Sequence, residues 1–310
     1  MTSKEVGVPP TATSFDRPGL LAIWRRSLTG DDTSDPTDVV VGELSEYFEM
    51  PTDEVRRRCI HWEDESVKEW NAKDRSTPNG LVEFYKTQVS WIFDTMWYHA
   101  NQYHGTAPAE SVEIALGLPQ LKPGNHLDFG AGPGSSSLFF HNLGWNVSLA
   151  DISTSMLDFA RWRLERHSVA ATFYDPSVDK LPDETFDLVT AFDVMVHVPD
   201  IPETLSNLHR ALAPGGYFVF NIDNLPCTAK TQWHLYEDQY PILRYVRSAG
   251  FKRHPKITYF HVYQKVERDR RLVKLIQIYD VARYNRYVTL VGNQVRRVKR
   301  RLKLTNRTRW

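Results

Sequence analysis

The chain has 310 residues, 41% hydrophobic and 25% charged, enough for one full domain with an appendage. Its two cysteines, Cys59 and Cys227, lie far apart, which argues against a disulfide framework or a paired-cysteine metal site and fits a reducing cytoplasm. The net charge of zero hides an asymmetry: from Lys265 to Trp310 there are 15 Lys/Arg against 3 Asp/Glu, leaving 23 against 35 for the rest. No stretch has the length of a signal-peptide core or a membrane span, so a cytoplasmic protein is expected.

In chain order, residues 1–36 mix Pro, Thr, Ser, Gly and Asp with little periodicity and read as an irregular arm; "LLAIW" within it is too short to span anything. Residues 37–105 read as a helical cap. "DVVVGELSEYFEM" has helical spacing, Pro51 and Thr52 interrupt it, and "DEVRRRCIHWEDESVKEW" resumes an amphipathic pattern. The pair resembles a helix-turn-helix in outline, but helical hairpins with short turns are common in caps. A third helix is expected over "LVEFYKTQVSWIFDTMWYHANQYH", whose aromatic density leaves room to line an acceptor pocket; Trp97, Tyr98 and His99 are the candidates there.

Residues 106–266 alternate between strand and helix: "NHLDFG", "SSSLFFHNL", "NVSLAD", "SMLDFARWRLERH", "ATFYD", "FDLVTAFD", "PETLSNLHRAL", "GYFVFNID". That order predicts right-handed crossovers and an α/β, doubly wound, mainly parallel sheet. "PILRYVRSAG" reads as a further helix and "KITYFHVYQKV" as a last strand. In residues 267–310, Val288, Val291, Val295, Val298 and Leu302 form an apolar seam on a basic helix, suited to docking on the acidic body, on a membrane surface or on nucleic acid.

The chemistry is expected at the carboxyl ends of the strands. "HLDFGAGPGSSS" places Asp128 before Gly130, Gly132 and Gly134, a loop that lets backbone approach a nucleotide. An NAD fingerprint would place Gly or Ala at 135, where Ser135 stands instead, and a carboxylate beside a pyrophosphate costs Coulomb energy. A cationic nucleoside suits Asp128 better. Asp151 follows the first glycine by 21 residues, the spacing of a ribose-hydroxyl acceptor, and Asp175 ends the third strand, either as an acceptor for a purine amine or as a solvated loop carboxylate.

Together "LDFGAGPG", "SLADIS", "YDPSVDKLPDETFDLVTAFDVMVHVPD" and "LHRALAPGGYFVF" resemble the class I S-adenosylmethionine-dependent methyltransferases, over roughly residues 125–266. The resemblance implies a seven-stranded Rossmann-like sheet with an N-terminal helical cap and a C-terminal basic helix, and S-adenosylmethionine as cofactor. It implies that Asp128 and the three glycines face the methionine part, Asp151 the ribose, Ile152 and Met156 the adenine ring and Asp175 its amine. Phe192 and Asp193 would lie near the methyl group. His197 and His234 are the catalytic candidates, His197 as a base or else a structural link, and His234 and Tyr236 are candidates for acceptor contact or a surface loop. Asp193, Asp223 and Asn224 resemble the oxygen ligands of magnesium-dependent relatives, but "VMVHVPD" looks more like the metal-free branch. Cys227 in "LPC" reads as incidental, and no D/N-P-P-Y/F follows the fourth strand. The expectation is metal-independent O- or N-methylation of a small-molecule or glycan-like acceptor. An RNA methyltransferase using the basic tail and a non-catalytic binding module are the alternatives.

Overall fold

A computed structural model describes residues 16–73, 78–223, 228, 231–236, 238–255, 257–266, 275, 278 and 279. The valine seam, Asn224 and Cys227 lie outside the described residues. The elements run α1 (Arg17–Thr29), α2 (Pro36–Tyr47), α3 (Thr52–Ile60), α4 (Trp62–Ala72), α5 (Pro78–Thr87), α6 (Ser90–Tyr103) and α7 (Glu110–Gly117). They continue with β1 (Asn125–Phe129), α8 (Ser135–Asn142), β2 (Asn146–Ala150), α9 (Thr154–Arg166), β3 (Thr172–Tyr174) and β4 (Phe186–Ala191). The rest are α10 (Ile201–Ala211), β5 (Leu212–Phe220), α11 (Tyr240–Ser248), β6 (Phe251–Arg253) and β7 (His261–Lys265).

The seven strands form one sheet in the order β3-β2-β1-β4-β5-β7-β6. The pairs from β3 through β5 are parallel, while β7 runs antiparallel to both β5 and β6. The fold is therefore the expected α/β, doubly wound, mainly parallel sheet. Strand order reverses between β1 and β4, and such a switch point opens a crevice at the carboxyl edge. β1 delivers the glycine loop to that crevice and β4 delivers Asp193. Because β7 is antiparallel, its start meets the end of β5, His261 opposite Phe220, so the turn before β7 joins the same edge.

Three helical readings are corrected. The arm expected over residues 1–36 contains α1: Asp16 accepts a hydrogen bond from the Gly19 N–H, Pro18 sits in the first turn, and Gly30 closes the helix at φ +78°. Its "LLAIW" stretch supplies the core residues Leu20 and Trp24, which together with Leu28 are buried against α8 and the sheet. The expected third helix is two, α5 and α6, because the Glu69 carboxylate accepts from the Val89 and Ser90 N–H groups and from Ser90 Oγ, capping a fresh N-terminus. "DEVRRRCIHWEDESVKEW" likewise divides at His61 into α3 and α4. The short α7 lies in a stretch for which no helix was expected.

Apolar packing fixes the layers. α1, α7 and α8 cover one face of the sheet, around Trp24, Val112, Phe139 and Leu149, while α10 and α11 cover the other around Leu205, Ile242 and Phe218. α2, α3 and α6 pack on α9 through Val40, Phe93, Met96 and Phe159. A smaller aromatic cluster of Trp70, Phe84, Tyr85 and Trp233, with Trp62, Trp91 and Ile152 against it, joins α4 and α5 to the carboxyl edge.

Candidate active site

The loop after β1 is held from below. The Gly130 and Ala131 N–H groups both donate to Ala150 O at the end of β2, at 2.7 and 3.2 Å. Gly130 takes φ +71°, and a Cβ there would collide with Val194. Gly132 takes φ +53°, but a Cβ built on it would meet nothing within 4 Å, so the loop's outer side is open where a ligand would approach. Asp128 lies beneath this loop, almost fully buried, accepting from Thr190 Oγ1 at 3.1 Å and Ser137 Oγ at 3.0 Å. Burial, with the nearby Asp151 charge adding, pushes it up to about 7.

Asp151 closes the loop from the β2 side. Its Oδ2 accepts from the Gly132 N–H at 3.0 Å and its Oδ1 from the Ser153 N–H at 2.8 Å, leaving a lone pair on each oxygen for ribose hydroxyls. Asp175 folds back on its own turn: Oδ1 accepts from Ser177 N and Oγ, and Oδ2 lies 3.8 Å from Lys86 Nζ of α5. Ile152 touches the aromatic cluster, whereas Met156 is buried in the helical core with Phe159. An open glycine, two carboxylates at successive strand ends and an apolar isoleucine fit the nucleoside of S-adenosylmethionine.

Beyond β4, Phe192 packs on Phe260 from the turn before β7, with ring centroids 5.4 Å apart. Asp193 adopts φ +54° and is clasped by Asn221 beyond β5: its N–H donates to Asn221 Oδ1 at 2.7 Å and its Oδ1 accepts from Asn221 Nδ2. The residue as a whole is exposed, with Asn221 holding its carboxylate and backbone. Desolvation there pushes it up to about 6. α6 offers Asp94, Tyr98 and Gln102 at spacings of four, which puts them on one face. Tyr98 Oη donates to Glu110 Oε1 at 3.0 Å, Tyr259 Oη approaches the same oxygen at 3.5 Å, and Gln102 Nε2 donates to Glu110 Oε2. Burial first, then the charge of Asp193, pushes Asp94 up to about 8 and Glu110 up to about 7.

His197 sits at the aromatic border, its ring 5.3 Å from Trp91, 5.9 Å from Tyr85 and 4.9 Å from His234. Nδ1 lies 3.1 Å from Trp233 O; a carbonyl only accepts, so Nδ1 carries the proton and Nε2 keeps its lone pair. Desolvation, with His234 adding, pulls the ring down to about 4, so it is neutral at neutral pH. His234 Nδ1 is 3.2 Å from Asp223 O. Tyr236 Oη donates to Val198 O at 3.1 Å and so ties its segment to the loop after β4.

Among the expected acceptor contacts, Tyr98 faces Glu110 and the Asp193 side. Trp97 packs with the α2–α3–α6 cluster, and His99 sits edge-on to Trp24 of α1, 5.6 Å between centroids. Asp94, Gln102, Glu110, Tyr259 and Asn221 were not anticipated. The first two carried a signal, polar residues at helical spacing in an aromatic-rich helix. A cavity of about 240 Å³ lined by Phe129, Pro176, Asp179, Leu181, Asn207 and Arg210 holds neither the glycine loop nor Asp193. Among the described residues no group of three His, Cys, Asp or Glu is placed to hold a metal ion, and no helix is long and apolar enough to cross a membrane.

The sheet, the loop after β1 and the carboxylate after β2 form the switch-point crevice of an α/β fold. A methyltransferase-domain family model matches residues 98–264, more than half of the chain, and the chain belongs to that family. Membership of that family implies S-adenosylmethionine as the cofactor. A malonyl-[acyl-carrier protein] O-methyltransferase of Pseudescherichia vulneris is 33% identical over 119 residues, 38% of this chain and 46% of that protein. Phosphoethanolamine N-methyltransferase 2 of Caenorhabditis elegans is 30% identical over 131 residues, 41% and 29% respectively. The chain thus spans less than half the length of either. A TehB-like methyltransferase structure from Corynebacterium glutamicum superposes with TM-score 0.45 at 16% identity, covering 58% of this chain and 99% of that one.

Proposed function

We propose that the chain moves a methyl group to a small molecule, without a metal ion, in the recess between Asp193 and α6. The observation that carries this reading is the convergence at the switch point. The open Gly132 loop and Asp151 lie on the β1–β2 side, Asp193 lies after β4, and α6 with Trp91, Asp94 and Tyr98 lies across from it. Bound S-adenosylmethionine supplies an electrophilic methyl on a sulfonium sulfur, so the protein's task is mainly alignment and exclusion of water.

Asp151 and the Gly132 N–H hold the nucleoside side, with Asp128 fixing the loop through Ser137 and Thr190. The Tyr85–Trp91–Trp233 wall keeps water from the acceptor side, and neutral His197 presents Nε2 towards it. Relatives named for an oxygen and for a nitrogen acceptor leave the atom open, and the one named for phosphoethanolamine supports a small acceptor. Labelled S-adenosylmethionine incubated with the protein and fractionated cell extract, with and without EDTA, tests the reading. Label entering a low-molecular-weight product equally in both arms supports it; label in RNA alone, or loss on chelation restored by Mg²⁺, overturns it.

A further inference from the structure

The family likeness ends at residue 264, and there the charge of the chain changes sign. Residues 265–310 hold 15 Lys/Arg against 3 Asp/Glu, a net of +12, whereas residues 1–264 hold 23 against 35, a net of −12. From Val281 onward the sequence has ten Lys/Arg and no Asp/Glu. Methyl transfer gives this cationic segment no task.

Its described residues add an apolar face. Leu275, Ile278 and Tyr279 are helical and stand at spacings of three and four, which puts them side by side. They are 61%, 66% and 61% exposed, so the acidic body does not cover them. Ile60 and Val178 are exposed too, but singly, as on any surface; three large apolar side chains on one face of a basic segment mark a contact. The same spacing recurs in the sequence at Val288, Val291, Val295, Val298 and Leu302, outside the described residues.

Charge and apolarity together select the occupant. Nucleic acid would satisfy the cations but leave Leu275 and Ile278 in water. A second copy would cover the apolar face but bring one +12 segment against another. An anionic lipid surface meets both demands, because headgroups take the Lys and Arg charges while aliphatic and aromatic side chains enter the boundary with the acyl chains. Tyr279 suits that boundary, where its ring is buried and its hydroxyl stays wet. We propose that this segment holds the enzyme on an anionic lipid bilayer, with Leu275, Ile278 and Tyr279 inserted at the interface. The −12 remainder is repelled by the same surface, so only this end of the molecule faces the lipid. Screening within about 8 Å at physiological ionic strength confines the attraction to charges close to the headgroups, which the inserted side chains ensure.

The test sediments the full chain with vesicles of phosphatidylcholine alone and with vesicles of phosphatidylserine and phosphatidylcholine in equal parts. Binding to the mixed vesicles is expected to be at least tenfold tighter and to weaken as salt rises. The double substitution Leu275→Gln with Ile278→Gln leaves every charge in place; it is expected to weaken binding at least tenfold, with melting temperature and S-adenosylhomocysteine affinity unchanged. No binding, equal binding to both kinds of vesicle, or indifference to the double substitution overturns the proposal. So does a fall in melting temperature, which would place the two side chains in the packing of the fold. An oligouridylate that strips the chain from mixed vesicles at equal phosphate concentration would assign the segment to nucleic acid instead. A dimer in analytical ultracentrifugation that the double substitution dissociates would assign the apolar face to a second copy.

Discussion

Asp151 carries two tasks with one carboxylate: it holds the Gly132 N–H in place and leaves acceptor capacity for ribose hydroxyls. Asp151→Ala is expected to weaken S-adenosylhomocysteine binding by about 1–3 kcal/mol, the usual cost of losing a charged acceptor. Calorimetry checks this, with circular dichroism confirming that the fold persists; unchanged affinity would remove Asp151 from the ribose site. The place of Asp151 at the end of β2, beside the glycine loop, was legible in the sequence because strand-end position and spacing after such a loop are local properties. Glu110 was not. Its meaning comes from Tyr98, Tyr259 and Asp193, which only the folded chain brings together, and no spacing within "APAESVEIALG" announces it. Tyr98 falls between the two cases, since its helix was legible but the direction of each face was not. Trp97 and His99, next to it in sequence, face packing partners instead.

Between elements, a buried arginine does the joining. Arg163 of α9, fully buried, donates through Nε to Glu43 of α2 at 2.8 Å and through Nη1 to Pro133 O and Ser135 Oγ of the glycine loop at 3.2 and 2.8 Å. Its Nη2 reaches Leu28 O at the end of α1 at 3.4 Å, and His167 adds a contact to Glu43 at 3.0 Å. Removing one partner of a buried ion pair costs about 3–5 kcal/mol because the other charge is left uncompensated. Arg163→Met is therefore expected to lower stability by about that much in urea unfolding and also to weaken cofactor binding, since the loop loses two hydrogen bonds. Arg163→Met with wild-type stability would show that the network contributes nothing. At the break between α5 and α6, Glu69→Ala should cost about 0.5–2 kcal/mol, the range for a lost N-cap, and speed amide exchange at Val89 and Ser90. The expected single helix over this stretch failed because apolar periodicity runs through Gln88 and Val89 without a pause. What divides it is a side chain from α4, some twenty residues away, and periodicity does not see that.

Across the whole molecule, the titration of the recess sets how stability varies with pH. Asp94, Glu110 and Asp128 hold their protons to about 8, 7 and 7, far above their values in an unfolded chain. The stability each contributes is fully present below the unfolded value and is lost as pH rises through the folded value. Histidines with depressed values, such as His197 at about 4, act oppositely, but only up to the unfolded histidine value of about 6.5. Between pH 6.5 and 8.5 the carboxylates act alone, so the melting temperature is expected to fall, and to fall less steeply in Glu110→Gln. A flat profile, or equal slopes in the two proteins, would contradict the burial of these groups. Over the same scale, S-adenosylhomocysteine should raise the melting temperature by mass action and NAD should not.

The seating of α1 has a practical corollary for anyone dissecting this enzyme. Family resemblance draws its boundary at residue 98, yet Leu20, Trp24 and Leu28 lie in the same apolar layer as Phe139 and Leu149, and Arg17 pairs with Glu113 of α7. A fragment cut at that boundary would keep every motif by which the enzyme is recognised and lose the wall against which α8 rests. Residues 98–266 expressed alone should bind hydrophobic dye and precipitate, whereas residues 16–266 should stay monodisperse. Soluble, cofactor-binding 98–266 would refute this. The stretch that family likeness outlines and the apolar layer that closes the sheet do not share an edge.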